Sequence, residues 1–240
     1  MRPLNGIVEM NPGTLSVVVP TLNERKTLAG CLDSVGEGEG LEIVVSDGGS
    51  RDDTLEIARC RRGVRIVEGP SGRGPQLNRG AAEASGEILL FLHADCRLPA
   101  DWRSMVETTL ADEATTLACF RLHTEPTQAS GPVSRAWLRL FDLRSKGLGL
   151  PYGDQGFALR REVFDAIGGF PDIPLMEDVE VARACRRRGN IRRLPAEIRT
   201  AARRVHGRPV RTLVMLATFP SLFRMGFSPH RLARWYGTVR

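Results

Sequence analysis

The sequence predicts an α/β protein built on a largely parallel sheet with helices on both faces. Three observations lead there. Four short runs, Thr14–Pro20, Leu41–Ser46, Val64–Val67 and Glu87–Leu92, are rich in valine, isoleucine and leucine, as buried parallel strands are. Helical stretches separate them, and strand–helix alternation is the mark of parallel pairing through crossovers. The composition, 42% hydrophobic and 26% charged over 240 residues, supplies one sizeable core.

The elements follow in order. Thr14–Pro20 (TLSVVVP) is short and β-branched, hence a strand. Asn23 and Glu24 open a helical pattern bearing Leu28, Leu32 and Val35, and the glycines of GEGEG end it. Leu41–Ser46 is a second strand, after which Asp52 and Asp53 cap a helix with Leu55, Ile57 and Ala58. Val64–Val67 is a third strand, Gln76–Ala84 a helix and Glu87–Leu92 a fourth strand. Beyond Pro99 the alternation loosens. A helix over Asp101–Ala111 and a strand over Thr115–Leu122 precede a helix over Pro132–Lys146. A glycine-rich loop around Pro151–Gly156, a short strand at Phe157–Arg160 and helices over Glu162–Ile167 and Met176–Arg188 follow. After Arg208 the chain is amphipathic and dotted with arginine, and Pro220 and Pro229 are expected to break it. No repeat or linker divides the chain. Residues 1–207 read as one domain with halves 14–98 and 99–207, and 208–240 as an extension.

Composition narrows the class. The five cysteines are scattered, with no C-x-x-C pair, so a disulfide framework or zinc cage is not expected and a reducing compartment is. The formal charge is +6 with a pI near 9.5, and Lys26 and Lys146 are the only lysines among 34 basic residues. That excess fits a general preference for arginine or an attraction to anions. The N-terminus lacks an apolar leader core, and no apolar run approaches the ~20 residues of a spanning helix. A cytoplasmic protein, soluble or peripheral at the inner face of the membrane, is expected.

Ligands of open parallel sheets collect beyond the carboxyl ends of the strands. Three polar segments stand at such ends: Pro20-Thr21-Leu22-Asn23-Glu24, Asp47-Gly48-Gly49-Ser50 and His93-Ala94-Asp95. Turns are rich in Asp, Gly and Asn everywhere, which explains any one of them but not three in order. Asp47 could accept bonds from a base or ribose where glycines allow close approach. Asp95 is the hard oxygen ligand that Mg²⁺ or Mn²⁺ on a diphosphate requires. His93 is either a second ligand or a strand-end residue. Arg73, Gln76 and Asn78 combine charge with a helix start, which suits a phosphate.

With these residues in view, the sequence resembles glycosyltransferase family 2. SVVVPTLNE, EIVVSDGGSRDDT and a strand ending in HAD carry the resemblance, and LHAD, GDQG and PLMEDVE point to a bacterial subgroup. It runs from about Leu15 to Arg204. The resemblance implies a GT-A fold, a Rossmann-like nucleotide-binding half joined to an acceptor half by one mixed, mostly parallel sheet. It further implies that Pro20, Thr21, Asn23, Glu24 and Ala94 line the donor pocket, and that Asp47 binds the base with Gly49 and Ser50 shaping its turn. Asp95 is then the last acid of the family's D-x-D element and holds the metal, although His93 stands where the first aspartate is usual. Glu177-Asp178 resembles the family's E-D element, with Asp178 as base of an inverting transfer. Gly153, Asp154 and Gln155, with Glu177, are assigned to the sugars. As bare residues, Glu177 and Asp178 could equally be acids complementing a helix dipole, and Gly153–Gly156 a tight turn.

The tail holds Arg203, Arg204, His206, Arg208 and Arg211 ahead of an apolar stretch. Packing on the domain or on a second subunit is its first reading. A monotopic membrane contact and a basic clamp over the donor diphosphate are the others. Among rival functions, a sugar nucleotidyltransferase needs a glycine-rich basic loop directly after strand one, where this chain has PTLNE. A non-catalytic binding module would be expected to lose Asp95 or Asp178. Nucleic-acid binding is suggested by charge alone, without a stacking motif. The expected partners are a nucleotide-diphosphate sugar and a sugar, lipid or small-molecule acceptor.

Overall fold

The computed structural model describes residues 14–126, 138, 139, 142, 149–201 and 209–236. Its first half is β1 (Leu15–Thr21), α1 (Leu28–Val35), β2 (Leu41–Asp47), α2 (Thr54–Arg59), β3 (Val64–Glu68), α3 (Arg73–Glu83) and β4 (Ile88–Phe91). β1 pairs in parallel with β2 and β4, and β2 with β3. Side-chain alternation divides β1 between two cores. Leu15, Val17 and Val19 meet Leu28, Leu32 and Val35 of α1 on one face, and Val18 meets Leu77 and Ala81 of α3 on the other.

The second half is β5 (Cys96–Arg97), α4 (Trp102–Leu110), β6 (Thr115–Glu125), a 3₁₀ turn (Gly153–Gln155), β7 (Phe157–Arg160), α5 (Arg161–Ile167), α6 (Glu177–Arg188), β8 (Asn190–Ala201), α7 (Pro209–Arg224) and α8 (Pro229–Tyr236). The strands form one eight-stranded sheet in the order β3-β2-β1-β4-β7-β6-β8-β5. β7 runs antiparallel to β4 and β6, β8 lies parallel to β6, and β5 pairs antiparallel with β8.

The order requires the sheet to curl. β4 and β5 stand four places apart, roughly 19 Å in a flat sheet at the usual strand spacing. The chain from Phe91 to Cys96 could reach roughly 18 Å if fully extended. It is not extended, because the Cys96 N–H donates to the His93 carbonyl at 3.0 Å and closes a turn. The sheet bends round on itself, and Leu92–Asp95 bridges the bend.

Several boundaries differ from the sequence reading. α1 begins at Leu28, because Asn23 takes a left-handed conformation (φ 57°) that no helix continues through. α3 begins at Arg73 instead of Gln76. β8 was not expected at all. Its sequence NIRRLPAEIRTA holds Pro195, and its pairing with β6 jumps from Arg193↔Cys119 to Glu197↔Arg121, so the proline sits in a bulge. Pro220 lies inside α7 and does not break it. An internal proline costs a helix ~3 kcal/mol, and the neighbouring Phe219 offsets this by burying itself against Leu175, Met176, Val179 and Leu232. The helix expected over Pro132–Lys146 falls almost wholly outside the described residues, as do Arg203, Arg204, His206 and Arg208.

Candidate active site

The turns after β1, β2 and β3 are tied together before any ligand arrives. Asp47 is completely buried. Its Oδ1 accepts from the Gly49 and Ser50 N–H groups at 2.8 and 2.7 Å. Its Oδ2 accepts from Thr21 Oγ1 at 2.8 Å and Ser50 Oγ at 2.5 Å. These bonds fill the roughly four acceptor positions of a carboxylate. Asn23 links the same turns, its N–H donating to Ser50 Oγ at 2.9 Å and its Oδ1 accepting from the Arg51 N–H at 2.8 Å. Gln76 lies beneath, its Nε2 donating to the Thr21 and Ser46 carbonyls at 2.8 and 2.9 Å. Its Oε1 accepts from the Gly72 N–H at 3.2 Å.

Above this lattice lies a cavity of about 380 Å³. Pro20, Thr21, Glu24 and Gln76 line it from the β1–β2 side, with Arg73, Ala94 and Asp95 beside them. Asp154, Asp178 and His93 line it from across the sheet. The cavity brings together sequence-predicted residues of both halves. Asn23, Asp47, Gly49, Asn78, Gly153, Gln155 and Glu177 are not on its wall. Two of these are struts. Asn78 Nδ2 donates to the Phe170 carbonyl at 2.7 Å and its Oδ1 accepts from the Phe170 N–H at 2.8 Å. Gln155 Nε2 donates to the Phe120 carbonyl at 2.8 Å.

The far wall is held differently. Met176, buried, adopts a left-handed conformation (φ 72°) and caps α6. That conformation is costly for a residue with a side chain. The helix then presents Glu177 and Asp178 about 100° apart. Glu177 is 1% exposed. Its Oε1 accepts from Arg73 Nε of α3, and its Oε2 has no hydrogen-bond partner among the described residues. Asp178 enters the cavity, its Oδ2 accepting from the Gly153 N–H at 2.8 Å. Gly153 is closely surrounded: a Cβ would lie 3.3 Å from both His93 Nε2 and the Asp178 Cβ, so these neighbours would have to give by a few tenths of an ångström. Through it the HAD, GDQG and E-D segments meet.

Electrostatics separates the two neighbouring acids. Burial, then the charge of Glu177, pushes Asp178 above the usual carboxylate range, against the pull of Arg73 and the Gly153 N–H. Burial would also raise Glu177, but the Arg73 guanidinium holds it below that range. Glu177 is therefore an ionised, structural partner of Arg73, and Asp178 is the more basic carboxylate. Neighbouring groups with pKa values pushed apart mark acid–base assignments.

Part of the wall was missed by sequence reasoning. Tyr152, Leu175 and Met176, with Met215, Phe219 and Tyr236 from α7 and α8, give the cavity an apolar side. Tyr152 adjoins GDQG and could have been included with it. Nothing local marks Met215, Phe219 and Tyr236, which reach the site only through packing of α7 and α8 on Leu175, Met176 and Val179.

Comparison with known proteins bears on the family and the fold. The family described as Glycosyl transferase family 2 matches residues 16–168. A Mycobacterium tuberculosis PGL/p-HBAD biosynthesis glycosyltransferase is 40% identical over 88 residues, covering 33% of this chain and 34% of that protein. Glucosyl-3-phosphoglycerate synthase of the same organism is 37% identical over 94 residues, covering 34% of this chain and 29% of that protein. The aligned part thus spans about a third of these relatives. The mannosyltransferase PcManGT from Pyrobaculum calidifontis, solved with GDP-Man and Mn²⁺, superposes with a TM-score of 0.64 at 21% identity, over 93% of this chain and 68% of that one. M. tuberculosis glucosyl-3-phosphoglycerate synthase, solved with Mn²⁺, UDP and glucosyl-3-phosphoglycerate, superposes with a TM-score of 0.56 at 26% identity, over 78% of this chain and 71% of that one.

Proposed function

The chain belongs to glycosyltransferase family 2 and has the GT-A fold, and on that premise we propose that it transfers a sugar from a nucleotide-diphosphate sugar to an acceptor hydroxyl with inversion. One observation carries the reading: a single cavity is lined by Asp95 and the strand-end turns on one side and by Asp178 on the other. In an inverting displacement the acceptor oxygen attacks the anomeric carbon as the bond to the diphosphate breaks. Asp178 takes the proton of the acceptor hydroxyl. Arg73 keeps Glu177 ionised and fixed, so that Asp178 alone is the proton acceptor. Pro20, Thr21 and Glu24 hold the nucleotide, and Asp47, from behind them, is the partner assigned to its base. Asp154 receives a sugar hydroxyl.

A divalent cation fits the residues present. Asp95 is a half-buried hard oxygen donor on the cavity wall. No group of three metal-binding side chains occurs among the described residues, so most ligands come from diphosphate and water, as Mg²⁺ or Mn²⁺ accepts. When bound there, such an ion would neutralise charge on the departing diphosphate. On this reading the chain is cytoplasmic, with the C-terminal helices as its contact to a membrane face or to a second copy.

Titration calorimetry tests the proposal. Nucleoside diphosphate should bind in the presence of Mn²⁺ and lose that metal dependence in Asp95→Ala. Undiminished metal-dependent affinity in the variant would sink the assignment. A thermal-shift panel of UDP-, GDP- and dTDP-sugars identifies the donor, because a ligand of the folded state raises stability by mass action.

A further inference from the structure

The net positive charge of the chain is confined to its C-terminal end. Nine of the 34 basic residues and none of the 28 acidic ones lie after Glu197. The residues up to Glu197 are left with 25 basic against 28 acidic, so the tail alone makes the protein cationic. The described part of this tail shows how some of that charge is used. α8 is two-sided. Leu232 is fully buried and Tyr236 lines the cavity, while Arg231, Arg234 and Trp235 are exposed, at the three- and four-residue spacings that share a helix face. The end of α7 and the turn to α8 add exposed Arg224, Met225 and Phe227. Met225 is 75% and Trp235 50% exposed, and the Phe227 and Trp235 rings lie 6.5 Å apart. Large apolar side chains gathered among arginines, on a surface with no acid within its own segment, match a layer with phosphate above hydrocarbon.

We propose that the tip of α7 and α8 (Arg224, Met225, Phe227, Arg231, Arg234 and Trp235) docks on an anionic lipid bilayer. The inference deepens the functional reading, because it names a membrane as the surface at which the acceptor is met. The arginines meet lipid phosphates, and Met225, Phe227 and Trp235 enter the interface. Since α8 turns Tyr236 into the cavity from its opposite face, docking fixes the acceptor side of the site relative to the membrane. No helix among the described residues is long and apolar enough to cross one.

Flotation of the full chain with phosphatidylglycerol-containing vesicles, against phosphatidylcholine alone, is the experiment. The chain should float with the anionic vesicles and be released by salt. Replacing Arg224, Arg231 and Arg234 by Gln should weaken partitioning about fivefold per arginine, on the order of a hundredfold together. Trp235 emission should shift to the blue on anionic vesicles, and Trp235→Phe should remove that shift. Nucleotide affinity is measured on every variant as a check of folding. Absence of flotation on anionic vesicles at low salt overturns the proposal. So does triple-variant flotation equal to that of the unaltered chain, or retention by single-stranded RNA without flotation. A dimer that the same substitutions dissociate, with no vesicle binding, also overturns it and assigns the face to a second copy. Flotation without any nucleotide binding would leave the docking face intact and refute the glycosyltransferase reading instead.

Discussion

The two walls of the cavity are built on opposite terms. On the β1–β2 side, Asp47 and Gln76 spend their hydrogen-bonding capacity on the protein itself, and the turns they join are fixed in place. On the α6 side, Met176 is held left-handed, Glu177 keeps a buried oxygen without a partner among the described residues, and Asp178 is held above its usual range. Polar groups satisfied within a low-dielectric interior rigidify a site, whereas unsatisfied ones store free energy. If the proposed function holds, recognition sits on the relaxed wall and proton transfer on the strained one. Strain of this kind is maintained only where surrounding structure insists on it, and here Arg73 and the packing of α7 and α8 do so.

Substitutions can sharpen or break that contrast. The largest effect is expected for Asp178→Asn, which keeps the shape and removes the proposed proton acceptor. Turnover should fall about 10²–10⁴-fold with donor affinity retained, in single-turnover measurements with saturating donor. An intact rate would move the base elsewhere, with Asp154 the first alternative. Arg73→Gln comes next. It strands Glu177 as a buried charge, so unfolding free energy in urea should drop by about 3–5 kcal/mol, with a substantial part regained in Arg73→Gln/Glu177→Gln. No recovery in the double variant would mean that the ion pair is not what holds α6. Gln76→Ala tests the relaxed wall. It removes the donors of two buried carbonyls, and a cost of about 1–3 kcal/mol is expected, with nucleotide affinity lowered as the turns loosen.

The smallest effect carries a sign. The folded-state pKa of Asp178 is raised, so the fold favours its protonated form. That contribution is complete at pH values below the unfolded carboxylate range and is lost as pH rises through the raised value. At pH values above that raised pKa, where Asp178 is ionised, Asp178→Asn should therefore raise Tm, by about 2–4 °C for each kcal/mol relieved. The gain should vanish in acid, and calorimetric scans across pH report it. In the unaltered enzyme, turnover should rise with pH through the same ionisation. A variant that is more stable and inactive would place the strain and the chemistry on one carboxylate.

The relaxed wall was the more legible in the sequence. Its strands announce themselves by β-branched runs, and its polar turns follow them directly, so Thr21, Asp47 and Asp95 could be placed from local pattern. The strained wall was legible only by resemblance, since Glu177 and Asp178 read alone as acids in the first turn of a helix, which they also are. What makes Glu177 structural is Arg73, 104 residues away, and no local pattern encodes such a partner. β8 escaped notice because its arginines and Pro195 break the alternation that marks a strand. The apolar wall of Met215, Phe219 and Tyr236 was hidden for a related reason. Helices α7 and α8 bear no motif, and their role follows from tertiary packing alone.

The bridge across the bent sheet has a thermodynamic consequence. Leu92–Asp95 leaves β4 and is pinned again four residues later by β5, on a strand four places away in the sheet. A segment anchored at both ends has few conformations to lose. Ligands that rely on mobile loops must offset the entropy of ordering them when they bind. Asp95, carried on a span instead of a loop, has had most of that entropy removed during folding. Calorimetry should then find that the association of cation and diphosphate carries little unfavourable configurational entropy from this segment, and that amide hydrogens of residues 92–96 exchange slowly with or without nucleotide.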